Sequence, residues 1–575
     1  MAILTRGAFA HPSTSLQYHT GTWRVQKPLH EHRAAPCHNA CPAGEDAQAY
    51  LAKIAEGRFQ EAWETVVKIN PLPAVTGRIC HHPCEGACNR GEYDEALSIH
   101  SAERFLGDEA IKNNWPYPMP DAPAQSAPTV AVVGAGPAGL SAAYHLVRRC
   151  YNVTLFDELP EGGGVLAAIP QYRLPREVLR AEVQRLLATG MKFEPQKRLG
   201  RDFYIDDLQR DYAAVFLAVG NRLGRDWSVD GVTPRGLRTG LELLEEVAAL
   251  GSVPTPQSVA IVGGGNTAVD IARVLKRNGT REVHVITHNA LPGKDVPQEI
   301  MMTAIPREIA QAQDEGVIFH EFRGIRRLIL RGEKVVGLEL VHMKKVPQAD
   351  GRLTTRSFEG TETVLHVEQV IPAIGQEVLP FGVENLLENK PFFSVDHWGA
   401  LAKHPGIFAG GDASGGRGTL TGAVGDGRRA AAGIDAFIQG KQLPPPAPVQ
   451  VVPYTQINLN YFEHAARIKS PVLPVEARKG FEEVEGGLEQ SQVYAESQRC
   501  FSCGNCFACD NCWTLCPDSA VLPPPTMATL CGVGTEPSAA TSSNNSRPVR
   551  KPRGVTPSTL QSRPRRLPTA RNTAA

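Results

Sequence analysis

Between about residues 129 and 440, short runs such as "TVAVV" and "SVAIV" are apolar at nearly every position. Each is followed by a segment whose apolar residues return every three or four places. Strands with unbroken apolar character are those buried on both faces, so the alternation predicts parallel sheets flanked by helices. Residues 1–120 read instead as a helical segment with two cysteine groups, closed by the proline-rich stretch "WPYPMPDAPAQSAPT". A second proline-rich joint, "LPPPAPVQVVP", precedes a C-terminal cysteine region. The expected fold class is multidomain α/β, with an N-terminal α-helical domain, two Rossmann-like units, and a small C-terminal module with a tail.

Composition narrows the function classes. The 575 residues exceed one core, and a prior of roughly 150 residues per domain suggests three or four units. Lys plus Arg and Asp plus Glu both number 60, so no global field recruits nucleic acid or an anionic membrane. No apolar run is long enough to span a bilayer and "MAILTRGAFAHPS" lacks a signal-peptide pattern, which makes a cytoplasmic location the expectation. In a reducing compartment the clustered cysteines point to metal rather than disulfides. No Ser-His-Asp, metal-hydrolase or paired-carboxylate constellation stands at useful spacing.

Two glycine-rich strand-to-helix turns carry the nucleotide chemistry. In "TVAVVGAGPAGLSAAYHLVRR", Gly134 makes the tight turn, Gly136 admits a pyrophosphate to the backbone, and Gly139 lets helix pack on strand. The next strand, "YNVTLFD", ends in Asp157, placed to accept ribose hydroxyls. The second turn, "SVAIVGGGNTAVDIARVLKRNG", repeats the pattern with Gly263, Gly265 and Ala268. Its following strand ends in His288 and Asn289, with neither the acid nor the arginine that would separate NAD from NADP. Further on, "GIFAGGDASGGRGTLTGAVGDGRRAAAGI" sets Gly411 and Asp412 before a helix that starts near Leu420 and Thr421, where an acid can meet a ribitol hydroxyl. Two interleaved nucleotide sites mean a flavin domain interrupted by a nicotinamide domain.

The ordered set "GAGPAGLSAAYHL", "GGGVLAAIPQYRLP", "GGGNTAVDIAR", "IPAIGQ" and "GIFAGGDA", preceded by "NPLPAVTGRICHHPCEGAC", resembles the small-subunit family of glutamate synthase. That group includes the flavin-and-cluster half of dihydropyrimidine dehydrogenase and related electron-input subunits. The resemblance runs from about residue 35 to 440 and implies a helical iron–sulfur domain at 1–120. It also implies an FAD domain in two parts, 128–250 and 373–440, and an inserted NAD(P) domain at 251–372. Residues 441–522 are expected to form a linker and ferredoxin-like cysteine module, and 523–575 a disordered basic tail. Carried over by position, the FAD contacts are Gly134, Gly136, Pro137, Ala138, Gly139, Asp157, Gly164, Arg173, Gly411, Asp412, Leu420 and Thr421. Those to the nicotinamide cofactor, NAD(H) or NADP(H), are Gly263, Gly264, Gly265, Asn266, Thr267, Ala268, His288 and Gly375. Relatives show two basic residues where this chain has His288 and Asn289, which tilts the reading toward NADH.

In "PCHNACP" and "CHHPCEGAC", five cysteines, Cys37, Cys41, Cys80, Cys84 and Cys88, have iron–sulfur-like spacing. The fuller family pattern adds a CxxC pair ahead of Cys37, where this chain reads "HEHRAA", so one N-terminal 4Fe–4S cluster is the expected maximum. By matching positions Cys41, Cys80, Cys84 and Glu103 hold it. Cys37 and Cys88 are left as orphan thiols, or either supplies the fourth bond. Near the C-terminus, "CFSCGNCFACDNCWTLCPDSAV" packs six cysteines into seventeen positions. Within it Cys506, Cys509, Cys512 and Cys516 fit the C-x2-C-x2-C-x3-C-P ferredoxin run. The second run such a module needs does not follow. The Pro/Arg/Ser/Thr/Ala bias after Val521 predicts a reading frame shifted just past "CPDSAV"; if the tail is genuine, this cluster draws a fourth thiolate from Cys500, Cys503 or Cys516.

The expected function is an NAD(P)H:acceptor oxidoreductase moving electrons among a nicotinamide, FAD and 4Fe–4S clusters to or from a protein acceptor. That acceptor is a ferredoxin or a partner of the 2-oxoacid oxidoreductase or sulfite-reductase type. The alternatives are a non-catalytic electron-wiring subunit, the glutamate synthase small subunit itself, or a cluster-carrying assembly factor without FAD.

Overall fold

The structure is a computed structural model that describes residues 33–503 apart from 235–236, 349–352, 417, 458 and 460–461. The cysteine run from Cys506 to Cys516 and the basic tail lie outside the described residues. Two parallel sheets organise the middle of the chain. The first has five strands in the order Ile407–Ala409, Ala214–Leu217, Thr129–Val133, Asn152–Phe156 and Lys192–Glu194. In its centre Val130 to Val133 are buried on both faces, as their unbroken apolar pattern requires. The second sheet has four, Gln369–Pro372, Ser258–Val262, Glu282–Ile286 and Ile318–His320. Strand Ile407–Ala409 returns to the first sheet after the second is complete. The first unit is therefore discontinuous and the second inserted.

An antiparallel sheet of Arg323–Arg331, Lys334–Pro347 and Leu353–Leu365 adjoins the second unit. Leu328, Val335, Leu338 and Leu340 from it share a core with Ala260 and Ile286, while much of strand Leu353–Leu365 is exposed. The expectation of parallel sheets alone thus misses an element whose outer face is charged and solvated.

The N-terminal region is helical, with segments Pro36–Ala40, Ala47–Ala55, Phe59–Val67, Pro73–Ile79, Pro83–Gly86 and Ile99–Lys112. Helix Pro73–Ile79 is buried along its whole length. Glu182, from helix Arg176–Leu187 of the first unit, accepts hydrogen bonds from Ala74 N at 2.8 Å and Val75 N at 2.9 Å. A carboxyl at that place satisfies amides that a helix start leaves unpaired.

The chain after residue 450 runs back over this helical region. Gln450–Val451 pairs in parallel with Arg33–Ala34, and Glu496 of helix Gln490–Gln498 accepts from Ser98 N at 2.9 Å. Arg90, 2% exposed, donates to the carbonyls of Arg499 at 2.7 Å and Glu463 at 2.6 Å. Among the described residues no helix is long and apolar enough to cross a membrane.

Candidate functional site

The two glycine-rich turns are built alike. A Cβ on Gly134 would lie 2.3 Å from the Ala218 carbonyl oxygen, and one on Gly263 would lie 2.3 Å from that of Ala373. Both residues also adopt positive φ, at +103° and +149°. Each turn needs its first glycine because the strand end that crosses beneath leaves no room for a side chain. The helices that follow, Pro137–Val147 and Asn266–Arg277, point their N-termini at one cavity of about 550 Å³, within the range of cofactor sites.

Gly134, Gly136, Pro137, Ala138, Asp157 and Gly164 line this cavity, and Gly139 is buried behind them. Asp157 accepts from Ala135 N at 2.5 Å and Leu159 N at 2.8 Å, which fixes its carboxyl, while burial holds its pKa above the usual range. On the opposite wall stand Gly411, Asp412 and Leu420. Burial and then the neighbouring Asp426 raise the pKa of Asp412. Helix Leu420–Ile438 begins here, capped by Thr419 Oγ1, which accepts from Gly422 N at 3.2 Å. Thr421 is buried and turned away from the cavity toward the cysteines, 3.5 Å from Cys80 Sγ.

From the second turn, Asn266, Thr267 and Gly375 line the same cavity. Gly263, Gly264, Gly265 and Ala268 form the turn behind them, and His288 is exposed at the strand end, off the cavity wall. Its neighbour Asn289 is buried, with Oδ1 unpartnered among the described residues. Arg173, expected on the flavin, lines the cavity, but its guanidinium is held by Asp270 at 2.8 Å and Glu308 at 3.4 Å. It sits on the loop of the first unit just before helix Arg176–Leu187, within reach of these two acids of the second unit, which hold it.

His81, a residue that no nucleotide motif contains, also lines the cavity. Asn266 Oδ1 accepts from Ile305 N at 2.9 Å, which turns Asn266 Nδ2 toward His81 Nε2, 2.9 Å away. The imidazole then carries its proton on Nδ1, which is buried with no partner among the described residues. Burial, followed by Arg173, keeps the ring neutral. No sequence spacing links position 81 to the second turn.

The N-terminal cysteines form two groups, with Cys37 inside the short helix Pro36–Ala40 and Cys84 inside Pro83–Gly86. Cys41, Cys80, Cys84 and Glu103 are neighbours: burial raises the pKa of each thiol, and the Glu103 carboxyl raises all three further. Glu103 is itself buried and accepts from Asn70 Nδ2 at 2.9 Å and from Thr76 Oγ1. Asn70 also donates to Glu45 at 3.0 Å, and burial pushes Glu45 up to about 7. Cys80 Sγ accepts from His82 N at 3.3 Å. Cys37 and Cys88 belong to the other group, with neighbours from the far end of the chain.

The fold and the shared cavity define a two-nucleotide oxidoreductase with a cysteine-rich helical domain at its flank. Residues 128–427 match the pyridine nucleotide-disulphide oxidoreductase family, and residues 30–115 match the dihydropyrimidine dehydrogenase domain II, 4Fe–4S cluster family. The chain is 35% identical to the NADP(+)-dependent formate dehydrogenase subunit beta of Moorella thermoacetica, over 82% of this chain and 70% of that one. It is 32% identical to the NADPH-Fe(3+) oxidoreductase subunit beta of Geobacter sulfurreducens, over 85% and 78%. It is also 30% identical to the glutamate synthase [NADPH] small chain of Azospirillum brasilense, over 72% and 88%. The chain therefore belongs to the pyridine nucleotide-disulphide oxidoreductase family, within the group that contains the glutamate synthase small chain.

Membership implies FAD and NAD(P)H for the α/β body and a 4Fe–4S cluster for the helical domain, and the residues fit both. A Cβ on Gly136 would meet nothing within 4 Å, so backbone at this turn lies open to a ligand in the cavity. The buried thiols with one carboxyl are the soft, anionic donor set that iron–sulfur ligation uses. When bound, flavin and nicotinamide supply hydride chemistry and the cluster single-electron chemistry. With those groups bound, the two helix N-termini would face phosphates, Asp157 and Asp412 would stand on the wall as acceptors for hydroxyls, and neutral His81 would line the same cavity.

Proposed function

We propose that this chain is an NAD(P)H-dependent oxidoreductase that carries electrons between a nicotinamide, FAD and its 4Fe–4S centre, and exchanges them with a protein partner. One observation carries the reading: Ile79 and His81, the two sequence neighbours of Cys80, line the same cavity as both glycine-rich turns. Hydride entry and single-electron exit thus share one wall. The partner is a ferredoxin or an enzyme of the 2-oxoacid oxidoreductase or sulfite-reductase type. That the relatives are named as subunits supports a partnered chain, with an electron-wiring role as the second reading. The test is anaerobic addition of NADH or NADPH to the purified chain, followed by an artificial dye. Bleaching of the flavin and dye turnover support the enzyme. Bleaching without turnover until a partner is added supports wiring, and an unresponsive flavin sinks both.

A further inference from the structure

The helical domain lacks the CxxC pair that precedes Cys37 in relatives, and the arm that returns over it ends in one. Strand Arg33–Ala34, just before Cys37, is paired with Gln450–Val451. Asn89, next to Cys88, donates through Nδ2 to the Val452 carbonyl at 3.0 Å, and the same nitrogen lies 3.6 Å from Cys503 Sγ. Arg90 holds the Arg499 carbonyl at 2.7 Å and sits 4.8 Å over the ring of Phe501. Phe501 is 6% exposed and packs on Tyr93 and Phe462. Arg499 is tied to Asp94 and to Glu496. These contacts fix the Cys500 and Cys503 backbone against the Cys88 turn, with many more partners than a passing tail would have.

Cys37, Cys88, Cys500 and Cys503 are all free thiols. Burial first, and then the other three sulfurs, disfavour the thiolate of Cys37; burial together with Cys503 and Cys88 does the same at Cys500. Four half-buried sulfurs gathered at one place are a ready donor set for a cation. Ser502 N donates to Cys500 Sγ at 3.4 Å, the kind of amide contact that cluster sulfurs accept. Among the described residues no group of three or more His, Cys, Asp or Glu is gathered closely enough to hold a metal ion. A 4Fe–4S cluster holds its four thiolates at separate corners, whereas one zinc needs every sulfur about 2.3 Å from the same ion, so neighbouring thiols that do not converge on one point suit the cluster.

We infer that Cys37, Cys88, Cys500 and Cys503 form a second four-thiolate site for a 4Fe–4S cluster, in which the C-terminal pair replaces the pair missing from the N-terminus. The site adjoins the Cys41, Cys80 and Cys84 group, because one short helix contains Cys37 and is capped by Cys41, and another contains Cys84 and is followed by Cys88. Cys500 and Cys503 then belong to the helical domain and not to the ferredoxin run that starts at Cys506.

The test uses the full chain, reconstituted anaerobically with iron and sulfide, and counts iron, sulfide and zinc per flavin. The Cys500→Ser/Cys503→Ser variant loses about four iron and four sulfide per flavin. Cys37→Ser loses the same, and combining all three substitutions removes no more. Losses that add, an unchanged iron count, or loss of zinc in place of iron each overturn the site. Should the variants fold poorly, dibromobimane on the unsubstituted chain decides. Crosslinks from Cys37 or Cys88 to Cys500 or Cys503 form before reconstitution and are blocked after it; their absence before, or persistence after, overturns the site. Bleaching by NAD(P)H is read separately, so failure of the proposed oxidoreductase activity leaves the iron count intact.

Discussion

Arg173 donates through Nη1 to both carboxylate oxygens of Asp270, at 2.9 and 2.8 Å, across the joint between the discontinuous unit and the inserted one. Both side chains are 7% exposed. Arg173→Ala leaves a buried carboxylate without its partner, at a cost of about 3–5 kcal/mol. The Arg173→Met/Asp270→Leu pair is expected to cost less than either single change. Thermal melts of the three variants check this, and a double variant no more stable than the singles refutes it.

The two first glycines are expected to separate the nucleotides, flavin at the first turn and nicotinamide at the second. Gly134→Ala drives a methyl group onto the Ala218 carbonyl and empties the flavin site, whereas Gly263→Ala does the same at Ala373 and spares it. The first variant is expected to purify without the flavin spectrum. The second is expected to stay yellow and require at least tenfold more NAD(P)H for half-bleaching. Equal flavin loss in both would contradict the division of labour.

Glu182 is fully buried, and burial pushes its pKa up to about 8 although two backbone amides favour the charged form. The folded chain therefore holds a proton that the unfolded chain releases near 4.5. Unfolded binds fewer protons than folded in that window, so stability is full below about pH 4.5 and falls by a few kcal/mol as pH rises to about 8. Glu182→Gln removes this part of the slope. Melting temperatures from pH 5 to 8 measure it, and parallel profiles for both proteins would exclude the effect.

Thr421 Oγ1 lies 3.5 Å from Cys80 Sγ. Hydrogen bonds to cluster sulfurs raise the reduction potential, so Thr421→Val is expected to lower that of the N-terminal cluster with flavin content unchanged. A redox titration followed by electron paramagnetic resonance reads the shift.

The parts of this fold that local chemistry specifies were legible. Gly134 and Gly263 announce strand-to-helix turns because a crossing carbonyl excludes any side chain there. "GIFAGGDA" announces the return to the first sheet, where Ile407 pairs with Val215. The antiparallel sheet was not legible, because residues such as Arg326, Arg327, Lys344 and Lys345 hide strands whose outer face is wet. Arg173 matched a flavin position, and only the packing of two units reveals that Asp270 and Glu308 hold it. Asn89 and Cys503 meet across 414 positions of sequence, a distance over which neither spacing nor periodicity carries information.

That separation also sets a timetable. A ribosome adding 5–20 residues per second needs roughly 20–80 s to travel from Asn89 to Cys503. Through that interval Cys37 and Cys88 have emerged without the arm that covers them, open to oxidants and stray metals. The domain begun first is thus finished last. A nascent-chain chaperone, or a delivery protein that waits for the C-terminal arm, would have its longest task at the N-terminus.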